Sequence, residues 1–355
     1  MLFLDDTLPE IIKARVEHIN AVTCRIGKKI YNTPCADAKC KICNSTQKAR
    51  TPSATVQRLA ALLARNGVLN LVLAGKPDKL IRISTILWRQ LVPGFTWSGY
   101  DRYSLINNKD SAKRSIVERQ FHEPYNNAVN AFKVVFEYNT WFNGDDKDRY
   151  DAYTLAMNLN RNTCTYCNRI YTHTVARVNS LKVMRPQFDH WFSKSKHPAL
   201  SMSFYNLIPS CSVCNSSIKG TLDFDLSTHL HPYVDVDCHD KFVYSYKYNR
   251  SSRRYYVNIV SSNPLDLKIA QTYDDLKLKE VFDTHHAELA DLLKIKRAYS
   301  TKYINKMIAA FPRMHLSYKE VYRLAFGAEF DGSDFYKRPL SKFKKDILKE
   351  LKLVR

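Results

Sequence analysis

The chain is poor in the two residues that loosen or break structure, with 9 glycines and 13 prolines among 355 residues. That scarcity argues against long disordered linkers. No window approaches 18 uncharged apolar residues, so no membrane span is expected. The opening Met-Leu-Phe-Leu-Asp-Asp has no basic region and meets two acids at once, which is unlike a secretory signal. No internal repeat or low-complexity segment is visible. Nor is there a G-x-x-x-x-G-K-[S/T] phosphate loop, because Gly75-Lys76 and Gly27-Lys28 lack the preceding frame. Any nucleotide hydrolysis in this protein's biology is therefore expected from another chain.

Acidic residues are also in deficit: 34 against 55 lysines and arginines, a net charge of +21. An excess of that size points to a polyanionic partner, most often nucleic acid. A merely basic soluble protein is the competing reading. The 22 tyrosines suit bases as stacking partners, although many will be core or surface filler. A mean hydropathy of −0.38 fits a globular chain.

Nine cysteines are present, an odd number. With no signal peptide, the expected compartment is the reducing cytoplasm, where tight Cys-x-x-Cys pairs mean metal or redox chemistry and not structural disulfides. Cys24, Cys35, Cys40 and Cys43 are candidates for one zinc; reduced thiols in a loop or core are the alternative.

Helical patterns dominate the first part. Asp6-Thr7-Leu8-Pro9-Glu10 is a helix start. Ser53 caps a helix over 53–66 that closes at Asn66-Gly67. Further apolar runs at Val68–Ala74 and Leu80–Leu91 predict packed helices. Residues 110–139 read as helix broken at Pro124. Asn143-Gly144-Asp145-Asp146 is a turn-rich boundary. Phe242–Tyr248 and Tyr255–Val260 alternate like a hairpin, joined by a basic loop that either meets phosphate or is simply solvated. Helix is expected over 273–308, with His285-His286 inside it. Ser317-x-x-Glu320 is a capping box for a short helix ending at Gly327. The tail 337–355 holds eight basic residues against Asp346 and Glu350, with Phe343, Ile347 and Leu351 as an apolar stripe. It can dock on the body and offer charge to nucleic acid. Three segments follow: a mostly helical 1–145, a central 146–235, and a hairpin with basic helices over 236–355.

The central segment holds the chemistry. Cys164-Thr-Tyr-Cys167 and Cys211-Ser-Val-Cys214 supply four thiolates, the donor set of a closed structural zinc site. Between Cys167 and Cys211 lie 43 residues, longer than a simple zinc ribbon. That insert carries Gln187-Phe-Asp189-His190-Trp-Phe and Tyr205-Asn206-Leu-Ile-Pro-Ser. An extended run through Leu181–Phe188 would deliver Asp189 and His190 at its end. A carboxylate is a hard ligand for Mg²⁺, and an imidazole can deprotonate water. From Cys211 a short helix is expected to Lys219, stopped by Gly220. Its periodicity turns Asn215 about 100° from the zinc face. Lys219, four residues on, shares the Asn215 face and can meet a phosphate.

Over roughly residues 164–233 the pattern resembles the HNH endonucleases. Asp189-His190, Asn206 and Asn215 match that family's signature, with Asn215 where His is commoner. The flanking Cys-x-x-Cys pairs belong to its zinc-braced variety. The resemblance implies an α+β protein with a ββα-metal core, braced by a four-cysteine zinc site and embedded in helical surroundings. It makes His190 the general base, Asn206 the residue that orients the His190 loop, and Asp189 with Asn215 the holders of one Mg²⁺ or Mn²⁺. The wording from Asp189 to Gly220, followed by His231-Pro232-Tyr233, is similar to the HNH component of Septu-type anti-phage systems, also found with some retrons. That implies an ABC-type ATPase or retron components as partners; nucleic acid is the expected substrate, DNA ahead of RNA. A non-catalytic zinc-braced nucleic-acid-binding or ATPase-docking subunit is the rival. His173, His197, His229 and His231 are expected to be structural or surface residues.

Overall fold

The structure, a computed structural model, describes all residues except 38, 46–51, 144–149, 176–182, 237, 299–301, 311–314 and 355. Most of the break expected at Asn143–Asp146, and the start of the extended run expected from Leu181, lie outside the described residues. The chain is α-rich with two small two-stranded sheets, consistent with an α+β class. No helix among the described residues is long and apolar enough to cross a membrane. The chain forms two compact units, neither continuous in sequence. One comprises residues 1–6, 160–189 and 208–355; the other comprises 7–159 and 190–207. Both cut across the three segments read from the sequence.

In the second unit, α1 (Pro9–Ile26) starts at Leu8-Pro9 and runs on into a π turn. After it come α2 (Lys41–Ser45), α3 (Ala54–Leu63), α4 (Val68–Ala74), α5 (Pro77–Leu91), α6 (Trp97–Asn107), α7 (Ile116–Phe136), α8 (Tyr138–Asn143) and α9 (Ala152–Leu159). Ser53 caps α3 by accepting from Val56 N–H, as its sequence predicts. Pro124 does not break α7, contrary to expectation. The Ser115/Glu118 capping box starts the helix, and a buried face including Tyr125, Phe132 and Phe136 carries it across the proline. An internal proline costs about 3 kcal/mol; burying each large apolar side chain returns about 1.5–3 kcal/mol.

The segment 190–207 is seated in these helices by side chains that reach its backbone. Trp88 Nε1 donates to Lys196 O at 3.1 Å, and Tyr100 Oη donates to Ser195 O. His18 Nε2 lies 2.8 Å from Met202 O, and Ser203 Oγ donates to Val72 O. Trp88 stacks on Phe95 and meets Phe132 edge-on, so this anchor is itself fixed in the core.

In the first unit, residues 1–6 are tied in by Leu2 N–H to Thr165 O and Leu4 N–H to Pro232 O. Strand β1 (Gln187–His190) pairs with β2 (Leu207–Ser210), and a π-helical turn (Val213–Lys219) follows. The division between units falls at the Asp189–His190 and Leu207–Ile208 bonds. Strands β3 (Phe242–Asn249) and β4 (Arg254–Ser261) form the expected antiparallel hairpin. The helical stretch expected over 273–308 is divided into α10 (Leu267–Asp275), α11 (Leu278–Asp283), α12 (His286–Ala298) and α13 (Tyr303–Ala310). Lys277 at φ +49° turns the chain between α10 and α11. α14 (Tyr318–Phe326) has the predicted Ser317/Glu320 box and ends on Gly327 at φ +61°. α15 (Ser341–Glu350) buries Phe343 and Ile347 as the tail's stripe predicts. Lys342, however, is buried with Asp346, Nζ to Oδ2 at 2.5 Å, so that part of the tail's charge is used internally.

Candidate metal centre and the carboxylate beside it

In the first unit the two Cys-x-x-Cys turns converge. The Sγ atoms of Cys164, Cys167, Cys211 and Cys214 all lie within 4.8 Å of one another, and all four residues are buried. Tetrahedral Zn–S bonds of about 2.3 Å need sulfurs about 3.8 Å apart, so the group suits zinc. Each turn is built to favour thiolates. Arg169 N–H donates to Cys167 Sγ and Cys214 N–H to Cys211 Sγ, both at 3.4 Å. Crowding splits the thiols. Contact with Cys164 pulls Cys167 and Cys211 below the ordinary thiol value. Burial pushes Cys164 up, and contact with Cys164 pushes Cys214 up. A bound cation would remove that conflict by stabilising four thiolates together.

The first turn is locked from outside by Asn168, held at φ +51°. Its Nδ2 donates to Thr163 Oγ1 at 2.9 Å and to Phe335 O at 2.7 Å. Leu340 N–H donates to Asn168 O, which ties α15 to the knuckle.

A buried carboxylate lies next to this centre. Asp189, 2 % exposed at the end of β1, accepts a hydrogen bond on Oδ2 from Tyr166, which lies between Cys164 and Cys167. Its Oδ1 lies 3.3 Å from Lys219 Nζ. Lys219, a candidate phosphate contact in the sequence, faces this carboxylate here. It is 1 % exposed, and its ammonium packs 4.8 Å from the Phe224 ring centre. The reason is local. The turn after Cys214 is π-helical and ends at Gly220, φ +50°, and its last side chain folds inward onto the only kind of partner that makes a buried ammonium tolerable. Asn215 turns toward β1. Its Nδ2 donates to Gln187 Oε1 at 2.8 Å, which leaves the amide oxygen as the atom suited to a hard cation.

In the second unit, His190 Nε2 lies 3.1 Å from Ser201 O, and the ring meets Tyr138 edge-on at 4.4 Å. A carbonyl accepts only, so Nε2 carries the proton and neutral His190 has its lone pair on Nδ1. Asn206 is fully buried. Its Oδ1 accepts from Phe192 N–H at 2.7 Å, and its Nδ2 donates to Phe192 O and Leu200 O at 3.2 and 3.1 Å. Trp191 N–H donates to Asn206 O at 3.0 Å. One amide thus clamps the backbone immediately after His190.

A second group of four thiols, Cys24, Cys35, Cys40 and Cys43, also lies within 4.8 Å. It joins α1, a loop and α2. Cys43 is buried and Cys35 is exposed. Burial raises the Cys24 thiol, while the Cys43 N–H brings Cys40 down to about 7. Both cysteine groups can hold a zinc ion.

His197, His229 and His231 make local contacts. His197 Nδ1 meets Ser84 Oγ at 3.1 Å. His229 Nε2 meets Asp275 Oδ2 at 2.9 Å while its ring stacks on Phe224. Tyr233 N–H donates to His231 Nδ1. Sequence reasoning misses Tyr166. Its position inside Cys-x-Tyr-Cys is visible, but its reach to Asp189 exists only after both strands fold. Comparison with family models, curated proteins and solved structures returns no match.

Proposed function

We propose that the chain is a zinc-braced, HNH-type nuclease that hydrolyses phosphodiester bonds, with DNA as its substrate. The observation that carries this is the Asn206 clamp. The residue that the resemblance assigns to orienting the His190 loop bonds both polar groups of Phe192 and the carbonyl of Leu200. Supporting it are the Nε2 contact of His190 with a carbonyl, the direction of the Asn215 amide, and the chain order of strand, strand and helical turn beside four thiols.

Each side chain then has a role. His190 Nδ1 takes the proton from the attacking water, help worth about 10²–10⁴-fold. Asn206 keeps the imidazole's backbone in register. Asp189 and Asn215 Oδ1 would hold a hard divalent ion, Mg²⁺ or Mn²⁺, which when bound would neutralise charge on the scissile phosphate. The Lys219 ammonium, now 3.3 Å from Asp189, would have to give way to such an ion. In the cell the same reading makes the protein a cytoplasmic effector of a bacterial anti-phage system, partnered by an ABC-type ATPase or retron components.

The Asp189–Lys219 pair favours a second reading, because a carboxylate already neutralised by lysine has no need of a metal. The chain would then be a zinc-braced nucleic-acid-binding or ATPase-docking subunit. Incubation of the zinc-loaded protein with supercoiled plasmid and Mn²⁺ or Mg²⁺ separates the two. The nuclease reading expects nicked or linear product that His190→Ala abolishes while the fold and zinc content are retained. Plasmid left intact by the protein, alone and with an ATPase partner, rejects it.

A further inference from the structure

We infer that the tip of the β3–β4 hairpin grips a single strand of nucleic acid, with arginines on its phosphates and tyrosines against its bases. The inference rests on the proposed nucleic-acid substrate but on none of the catalytic residues.

Residues 241–261 hold five basic side chains, five tyrosines and no acid. The pairing is regular from Phe242↔Ser261 to Asn249↔Arg254. Phe242, Tyr244 and Val257 bury the root of the hairpin in the core. From Lys247 onward the ribbon leaves the core, and Tyr248 is 51 % exposed. Strand alternation places Tyr246, Tyr248 and Tyr255 on one face. The Tyr255 ring lies 5.0 Å from Tyr248 and 5.8 Å from Tyr246, a short run of aromatic surface at a wet tip. The opposite face sets Lys247 across from Tyr256 and leads to Arg254.

Most of the tip's charge is not neutralised from within. Among the described residues Lys247, Arg250 and Arg253 have no carboxylate partner, and Arg254 lies 3.7 Å from Asp283 Oδ2. The loop is nonetheless ordered by Asn249 Oδ1, which accepts from Ser251 and Ser252 N–H at 2.9 and 3.1 Å. Arg253 closes it at φ +52°, where glycine or asparagine is favoured and a long side chain is strained.

Charge alone would suit any polyanion. The tyrosine faces select an unpaired strand, because bases in a duplex are stacked on each other and offer no face to a ring.

The test is fluorescence anisotropy of a dye-labelled oligothymidylate and of a blunt duplex of equal length, titrated with full-length His190→Ala protein across a salt series. Tyr248→Ala/Tyr255→Ala is expected to weaken single-strand binding about 5- to 150-fold with the salt slope unchanged. Arg250→Glu/Arg253→Glu is expected to weaken it further and to flatten the slope by about 1 or more. Arg253→Gly is the control for folding: binding falls while the melting temperature holds or rises. Unchanged affinity and slope in all three variants overturns the inference and leaves the nuclease reading standing on its plasmid assay. Loss with the arginine variants alone overturns the single-strand assignment in favour of a duplex backbone. A parent protein that binds neither strand overturns the inference and removes the substrate of the proposed function as well.

Discussion

Lys219→Met cuts the Asp189 pair at one end. Both residues are almost wholly buried, 1 and 2 % exposed, with Nζ and Oδ1 3.3 Å apart. At an effective dielectric near 20 their attraction is about 5 kcal/mol before desolvation. Removing one member leaves the other charged and buried, at a cost of about 3–5 kcal/mol. Methionine keeps the stem's volume against Phe224, so packing changes little. Asp189→Asn leaves the ammonium facing a neutral amide and should cost a similar amount. The double variant buries neither charge, and its loss should fall at least about 2 kcal/mol short of the sum of the singles. Urea unfolding of the zinc-loaded protein, followed by tryptophan fluorescence at constant m, measures all three. Single losses below about 1 kcal/mol, or losses that simply add, would refute the buried pair.

Two further outcomes follow from the same geometry. The purified chain should hold two zinc ions by elemental analysis, one for each group of four thiols. Cys211→Ser and Cys24→Ser should each remove one ion, the first with the larger drop in melting temperature because its site is fully buried; a wild-type content of one rejects the Cys24 site. His18 is buried and, through desolvation, its pKa is lowered to about 4 from 6.5. The unfolded chain therefore binds the proton first, and stability that is fully present above about pH 6.5 is lost as pH falls toward 4, by about 3 kcal/mol. His18→Gln should flatten that part of the pH–stability curve relative to wild type, and an unchanged slope would show that His18 is not buried neutral.

Much of the secondary structure is legible in the sequence because its signals are local. Ser53, the Ser317/Glu320 box and Gly327 act within a turn of the residues they cap, and the β3–β4 alternation declares its own pairing. Pro124 misleads because its local penalty is visible while the buried face that outweighs it is not. In the candidate site, α-helical periodicity foresaw that Asn215 leaves the zinc face, although the turn is π-helical. It did not foresee the fate of Lys219, since the same face that leads to solvent in an isolated helix leads here to Asp189.

The sequence by itself singled out the candidates: four cysteines in two tight turns, Asp189 beside His190, and the two asparagines. Residue type and spacing are enough for that, because thiolate affinity and turn geometry are short-range properties. Tertiary structure alone decided their partners. It brought the two cysteine turns together across 43 intervening residues, aimed Tyr166 and Lys219 at one carboxylate, and wrapped Asn206 around Phe192. Those contacts depend on burial, and whether a lysine meets water or an aspartate is set by what packs over it.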